Sequence, residues 1–286
     1  MGRIQCGMVL LTCCVASSLP ARATPPQRIV SLNLCSDQVL VELVGRERIV
    51  AVTLLGADPM VSAAADKLEG LRVTRGEAED VLARDPDLII AGLYSTPATV
   101  DLLRRLGRRV VVMPLPDSVA GVRSLIVEMA TAVEEPEAGK RLIADFDARI
   151  SEVQKRVSRD PRRPSALVYQ VNDYVAGAGT LIDEALRIAG LNNQSAALPR
   201  LAGGKTELES IIAKPPNLLV MASKPDAYKS VAGDNLRHPA LEQLIRRVPN
   251  MVLEWPLWLC GTQHIAEAIE KLAQARETLL TSKAVP

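Results

Sequence analysis

Few residues in this chain can do chemistry, and their positions narrow what that chemistry could be. Of five cysteines, Cys6, Cys13 and Cys14 sit in the first fourteen residues, which leaves Cys35 and Cys260 in the body of the chain. Two cysteines so far apart do not form a disulfide framework. The two histidines, His238 and His264, are too few and too distant for a bare divalent-cation site, which converges several His with carboxylates. His238 precedes Pro239 and reads as a helix-start residue, whereas His264 lies close to Cys260. Asp37, Asp173 and Asp183 are isolated carboxylates that could serve as acid and base. No nucleophile elbow, HExxH, CxxC or dinucleotide fingerprint accompanies them, so an enzyme is the weaker rival reading. Gly203-Gly204-Lys205-Thr206 imitates a phosphate loop, but Pro199 stands where that motif needs its first glycine. Thr206 with Glu209 reads instead as a helix capping box. Gly177-Ala178-Gly179-Thr180 opens a helix, either as an anion-binding turn or simply as a turn and cap.

Composition sets further bounds. The chain has 286 residues, enough for one large or two ordinary domains, and its apolar content is aliphatic, with one Phe, two Trp and four Tyr. A formal charge of +1 offers no basic field for nucleic acid. Arg104, Arg105, Arg108 and Arg109 surround Gly107 at an expected helix end, where cations suit the dipole. Residues 1–23 read as a signal peptide: Arg3, an apolar middle from Ile4 to Leu19, then Ala21-Arg22-Ala23 before a cut near Ala23. Cys13 or Cys14 as a lipid-bearing residue fits its neighbours poorly. No later stretch is long and apolar enough to span a bilayer, so the expectation is an exported, periplasmic protein.

The element that must position everything else is PEAGKRLIADFDARISEVQKRVS, residues 136–158. Leu142, Ile143, Phe146, Ile150, Val153 and Val157 recur at steps of three and four, on one stripe of a helix spanning roughly 35 Å. A related phrase flanks it on each side: EDVLARDPDLIIAG from Glu79 to Gly92, and ESIIAKPPNLLVMAS from Glu209 to Ser223. Each runs from an acid through a short helix and a proline into an aliphatic strand. The predicted organisation is a signal peptide at 1–23, an N-terminal lobe at 24–135, the connecting helix at 136–160 and a C-terminal lobe at 161–286. Strands are expected at 28–32, 48–53, 110–113, 166–171, 218–221 and 251–254, besides the one closing the first repeat. Residues 54–75 are expected to be largely loop. Helices are expected to start at Ser36 or Asp37, at Thr96-Pro97, at Ser118, near Thr180 and near His238, with a final one after His264. This alternation gives an α/β fold of two doubly wound lobes with parallel sheets. Ligands of such sheets sit beyond the strand carboxyl ends, here Asn33 to Asp37, Thr53 onward, Tyr94 to Thr96, and Asn172 to Tyr174.

Residues 28–53, RIVSLNLCSDQVLVELVGRERIVAVT, resemble the opening of periplasmic substrate-binding proteins of the iron-siderophore and cobalamin class. VLARDPDLIIAG, GAGTLIDEALRIAGLNN and HPALEQL are similar to later segments of that class, in the same order. The resemblance implies two lobes on one rigid helix, a cleft between them, a metal chelate as cargo and an ABC permease as partner. The protein itself would be a monomer needing no cofactor, its cargo an iron or cobalt chelate. Glu79 and Glu209 match the acids that pair with permease arginines. The implied cleft residues are Asn33, Cys35, Asp37, Tyr94, Asn172, Tyr174, Trp255, Trp258, Cys260 and His264. Cys35 and Cys260 then have three readings: unpaired thiols in the cleft wall, a disulfide across it, or soft ligands to cargo metal. Leu34-Cys35 replaces the usual proline and serine of the first loop, and WLCGT replaces a Gly-Pro-Arg-like run in the last. No arginine cluster like that of catecholate-siderophore binders stands at the strand ends. A periplasmic adaptor of the same fold without cargo is the alternative reading.

Overall fold

A computed structural model describes residues 24–198, 204–222 and 235–282. The proposed signal peptide, Pro199, Gly203 and most of the loop after the 218–221 strand lie outside these residues. The N-terminal lobe comprises β1 (Ile29–Ser31), α1 (Leu34–Leu43), β2 (Ile49–Thr53), α2 (Ala65–Leu68), β3 (Val73–Thr74), α3 (Ala78–Leu82), β4 (Leu88–Gly92), α4 (Pro97–Arg105), β5 (Val110–Met113) and α5 (Val119–Ala132). The connecting helix α6 is Pro136–Val157. The C-terminal lobe holds β6 (Ser165–Tyr169), α7 (Leu181–Ile188), β7 (Asn192–Asn193), α8 (Leu208–Ala213), β8 (Leu218–Met221), α9 (Pro239–Arg247), β9 (Asn250–Val252) and α10 (Ile265–Thr281).

All strand pairs are parallel, in the orders β3-β2-β1-β4-β5 and β7-β6-β8-β9. Apart from edge strand β3, the two orders correspond strand for strand, and the helices follow: α1 with α7, α3 with α8, α4 with α9, α5 with α10. The repeat seen in the sequence is thus a repeat of topology. Within the largely irregular 54–75 segment stand α2 and β3, elements too short to leave a period in the sequence.

Strand alternation divides the core. Ile29, Leu88 and Ile90 of one sheet and Ala166, Val168, Leu218 and Val220 of the other face a single core shared by both lobes. Their alternate neighbours face separate outer cores: Val30 and Ile89 under α3 and α4, Leu167, Tyr169, Leu219 and Met221 under α8 and α9. Helix α6 packs against α1, α5, α7 and α10. Of its expected stripe, Phe146, Ile150, Val153 and Val157 are buried, while Leu142 and Ile143 pack at the margin. Pro136 opens it at a position where no N–H is needed, and Lys155 and Arg156 in its last turn complement the dipole.

The expected caps are partly replaced. Asn33, not Ser36 or Asp37, caps α1, its side chain accepting from the N–H groups of Cys35 and Ser36 at 3.0 and 3.2 Å. The Thr206–Glu209 capping box does not form. Glu207 stands at the cap of α8, and buried Thr206 donates its N–H to the Asp173 carbonyl at 3.0 Å. Ser118, Thr180 and His238 cap α5, α7 and α9 as read.

Arg276 on α10 is almost wholly buried and acts as a carbonyl clamp. It donates to the backbone oxygens of Gly190, Asp160 and Arg162 at 3.1, 2.6 and 2.7 Å, tying α10 to the ends of α7 and of the connecting helix. Arg276→Met should leave three carbonyls short of a donor, lowering stability by about 3 kcal/mol and Tm by roughly 6–12 °C. Thermal unfolding followed by circular dichroism checks this, and an unchanged Tm would reject the clamp.

Candidate functional site: the cleft between the lobes

The carboxyl ends of both sheets meet at a cleft. A cavity of about 320 Å³ lies there, with Leu115, Pro116 and Asp117 from the loop after β5 on one side. The C-terminal lobe supplies the other side: Gln170 and Tyr174 after β6, Thr180 to Ile182 at the start of α7, and Trp255, Trp258, Leu259 and Gly261. The two tryptophan rings stack with centroids 6.1 Å apart, and the Trp258 indole N–H donates to the Leu253 carbonyl at 3.3 Å. Asn172 and Asp173 both take left-handed backbone conformations, turning the chain so that Tyr174 faces the cleft. The Tyr169 hydroxyl donates to Asp173 at 2.5 Å, and burial with that carboxylate raises the phenol well above its ordinary pKa. Tyr174 lies over Gly204, where φ is +78° and a Cβ would come within 2.8 Å of the ring. A glycine is needed there on both counts.

Among the described residues lining the cavity there is no lysine or arginine, and Asp117 is the one charged group. On the N-terminal rim, Leu54 and Leu55 follow β2, and Leu93 and Tyr94 follow β4, all well exposed. Exposed large apolar residues at strand carboxyl ends extend the apolar surface beyond the cavity.

The structure brings Tyr174, Trp255 and Trp258 together and distributes the other expected cleft residues elsewhere. Tyr94 is 80% exposed on the rim, beside a smaller cavity with Arg75, Ser95 and Thr96. Asn33 is occupied in capping α1, and Asn172 forms the left-handed turn. Cys35 and Cys260 form a disulfide, so neither is an unpaired thiol or a metal ligand. His264 is held away from the cavity, among Glu42 of α1, Lys67 of α2, Arg149 of α6 and Glu267, and burial lowers its pKa. No group of three or more His, Cys, Asp or Glu among the described residues is arranged to hold a metal.

Asp37 is the clearest departure. It is fully buried and turned from the cleft, accepting from the Thr53 N–H at 3.1 Å and the Thr53 hydroxyl at 2.5 Å, where it anchors the end of β2. Its position one turn into α1 points it at the neighbouring strand, a direction that periodicity in so short a segment does not reveal. Gly179 and Thr180, read from the sequence as the turn that opens a helix, line the cavity with Leu181 and Ile182, whereas the sequence offers Leu115 to Asp117 no assigned role. Leu115, apolar between two prolines just after a strand, is the one signal that could have marked them.

Glu79 and Glu209 stand exposed at matching positions, second in α3 and α8, each preceded two residues earlier by a capping Glu, Glu77 or Glu207.

Two like-topology α/β lobes on one long helix, with a cleft at the strand carboxyl ends, define a bilobal receptor for small molecules. The chain belongs to the periplasmic binding protein family, whose model matches residues 29–246. This is a family of binding proteins rather than enzymes. A cobalamin-binding protein of Halobacterium salinarum is 25% identical over 209 residues, 72% of this chain and 57% of that one. A probable siderophore-binding lipoprotein of Bacillus subtilis, YfiY, is 27% identical over 158 residues, 54% of this chain and 46% of that one. The chain spans about half the length of the curated relatives it matches. Among solved structures, the periplasmic heme-binding protein RhuT of Roseiflexus sp. RS-1 superposes with a TM-score of 0.72 at 25% identity, covering 88% of this chain and 98% of that one. The vitamin B12 binding protein BtuF of Vibrio cholerae shares the fold at a TM-score of 0.65 and 19% identity, covering 90% and 98% of the two chains. No helix of the described residues is long and apolar enough to cross a membrane.

Burial pushes Asp37 up to about 7, against hydrogen bonds from Ser31 and Thr53 that oppose the shift. A carboxyl whose folded pKa exceeds its unfolded value binds more protons in the native state between the two, so native stability falls as pH rises through that interval. From about pH 4 to pH 7 the loss should be on the order of 4 kcal/mol. Asp37→Asn, which keeps an acceptor for Thr53, should flatten that slope and match or exceed the parent in stability at pH 8. Urea melts at pH 4.5, 6 and 8 check it; parallel pH profiles for the two proteins would count against the assignment.

Proposed function

We propose that this protein is the substrate-binding component of an ABC importer, that it captures a metal chelate of the tetrapyrrole class between its lobes, and that it delivers this cargo to a membrane permease. The observation that carries the reading is the cavity itself, which is lined by two stacked indoles, Tyr174 and aliphatic side chains and has no cation among its described lining residues. A flat, largely apolar macrocycle gains from stacking and area burial on such a wall. A ferric catecholate siderophore, with its high negative charge, would find no compensating lysine or arginine among those described residues. The cavity takes one edge of a macrocycle, and the exposed Leu54, Leu55, Leu93 and Tyr94 continue the apolar contact on the opposite rim. The metal would be part of the cargo. The similarity to proteins named for cobalamin and heme binding supports the same class. The N-terminal segment and the family support export to the periplasm, and the rigid core shared by the lobes favours a modest closing motion.

Delivery requires a docking surface, and the matched acids Glu79 and Glu209 supply one carboxylate on each lobe. Being exposed at helix starts, they are free to meet permease cations at little desolvation cost.

Both tryptophans of the chain line the cleft, so fluorescence quenching reports cargo directly. Cyanocobalamin or hemin should quench it, and at a hundred times Kd either should stabilise the protein by about 2.7 kcal/mol. Tyr174→Ala should weaken that binding roughly tenfold, the value of one aromatic contact. Stabilisation by a ferric catecholate and by neither tetrapyrrole would overturn the cargo class, and no stabilisation by any chelate would favour the cargo-less adaptor. Reversing charge in a Glu79→Lys, Glu209→Lys double variant should abolish permease-dependent uptake while leaving cargo affinity unchanged; unimpaired uptake would remove these acids from the docking surface.

A further inference from the structure

The loop from Trp255 to His264 does two things at once. Its first half supplies Trp255, Trp258 and Leu259 to the cleft wall. Its second half is bound to the opposite lobe. Cys260 is joined to Cys35, at the start of α1, by a disulfide that spans 225 residues of sequence. Around it, the Gln38 side-chain amide donates to the Cys260 sulfur at 3.5 Å and accepts from the Thr262 hydroxyl at 3.2 Å. The Gln263 side chain donates to the Gln38 backbone carbonyl at 3.0 Å. Gly261, with φ at +57°, lies so close to the N-terminal lobe that a Cβ would come within 3.0 Å of the Pro116 carbonyl oxygen. Glu184 on α7 makes another tie across the lobes, accepting the Val119 N–H at the start of α5 at 2.8 Å.

We propose that the Cys35–Cys260 disulfide, with the Gln38 bonds around it, positions the aromatic wall of the cleft at a fixed distance from the N-terminal lobe, so that the capacity to hold cargo depends on this seam. The wall and the seam are consecutive residues of one loop. Only Leu259 separates Cys260 from Trp258, a span in which the chain has little slack. The opposite wall, Leu115 to Asp117, belongs to the lobe that carries Cys35. A covalent tie between the lobes therefore sets the gap between the two walls as well as the strength of the fold. The shared core on α6 holds the lobes together from behind, so releasing the seam frees the loop and leaves the lobes folded. Cys35 and Cys260 are positioning residues: the sulfur of Cys260 is buried behind the wall and the pair does not line the cavity.

The inference rests on the cleft being the cargo site, so its test has one arm with cargo and one without. In the first arm, the Cys35→Ser, Cys260→Ser double variant is compared with the parent without ligand, by acrylamide quenching of the two tryptophans and amide hydrogen exchange over residues 255–263. Greater quenching and faster exchange confined to this loop, with unchanged far-ultraviolet circular dichroism, are expected. Identical quenching and exchange would overturn the proposal. In the second arm, cyanocobalamin and hemin are titrated into both proteins, and dissociation should be at least tenfold faster from the variant. Equal dissociation rates would overturn the proposal. Binding of neither ligand by the parent would refute the tetrapyrrole reading and leave the first arm to decide the role of the seam. Should the double variant not fold, Gln38→Ala keeps the disulfide and removes its surrounding hydrogen bonds. It is expected to show the same confined loosening in smaller degree, and parent-like quenching and exchange would count against the seam.

Discussion

The structure depends on one buried stripe. Phe146, Ile150, Val153 and Val157 of α6 are shared property of both lobes: they join the inner faces of two sheets, and α1, α5, α7 and α10, into one apolar core. Removing that helix would expose both sheets at once, which is why the lobes behave as halves of one packing unit. Ordinary hinged receptors join their lobes by loops, whose few torsions turn freely. A 22-residue helix packed along its length offers no such torsions. The cleft is accordingly preformed, and its shape is set by what the strand carboxyl ends and their loops present.

What those loops present follows from a scarcity. A chain with one Phe, two Trp and four Tyr places both tryptophans and one tyrosine in a single cavity and leaves a second tyrosine, Tyr94, exposed after β4. The hydrophobic cores are otherwise mostly aliphatic, with Phe146, Tyr169 and Trp258 as their buried aromatic residues. Tyr174 and the two indoles present aromatic surface to the cavity with little conformational entropy to lose. No cation stands among the described lining residues, so that part of the wall offers an anionic group no charge partner.

The lobes are similar in topology and unequal in use. The N-terminal lobe adds β3 and α2 and offers a rim of exposed leucines with Tyr94, while the C-terminal lobe carries the stacked indoles and the deeper wall. The seam at Cys35 and Cys260 resolves the asymmetry. It fastens the loop that bears the indoles to the lobe that lacks them, and Arg276 fastens α10, which follows that loop, to the end of the connecting helix.

By itself the sequence determined the two-lobed parallel α/β plan, the connecting helix and the matching register of the acids Glu79 and Glu209. These depend on local information: the period of apolar residues, prolines and caps at element ends, and the rule that parallel sheets bind ligands beyond their strand carboxyl ends. Tertiary structure decided the rest, for reasons that are non-local. Whether Cys35 and Cys260 pair depends on two loops meeting across the lobes. Asp37 left the site because the side of α1 that carries it faces β2, and His264 left because it packs among α1, α2 and α6. Leu115 to Asp117 entered because the β5–α5 loop reaches the cleft opposite α7. In each case the deciding quantity is a distance between segments far apart in the chain, and no pattern along one segment encodes it.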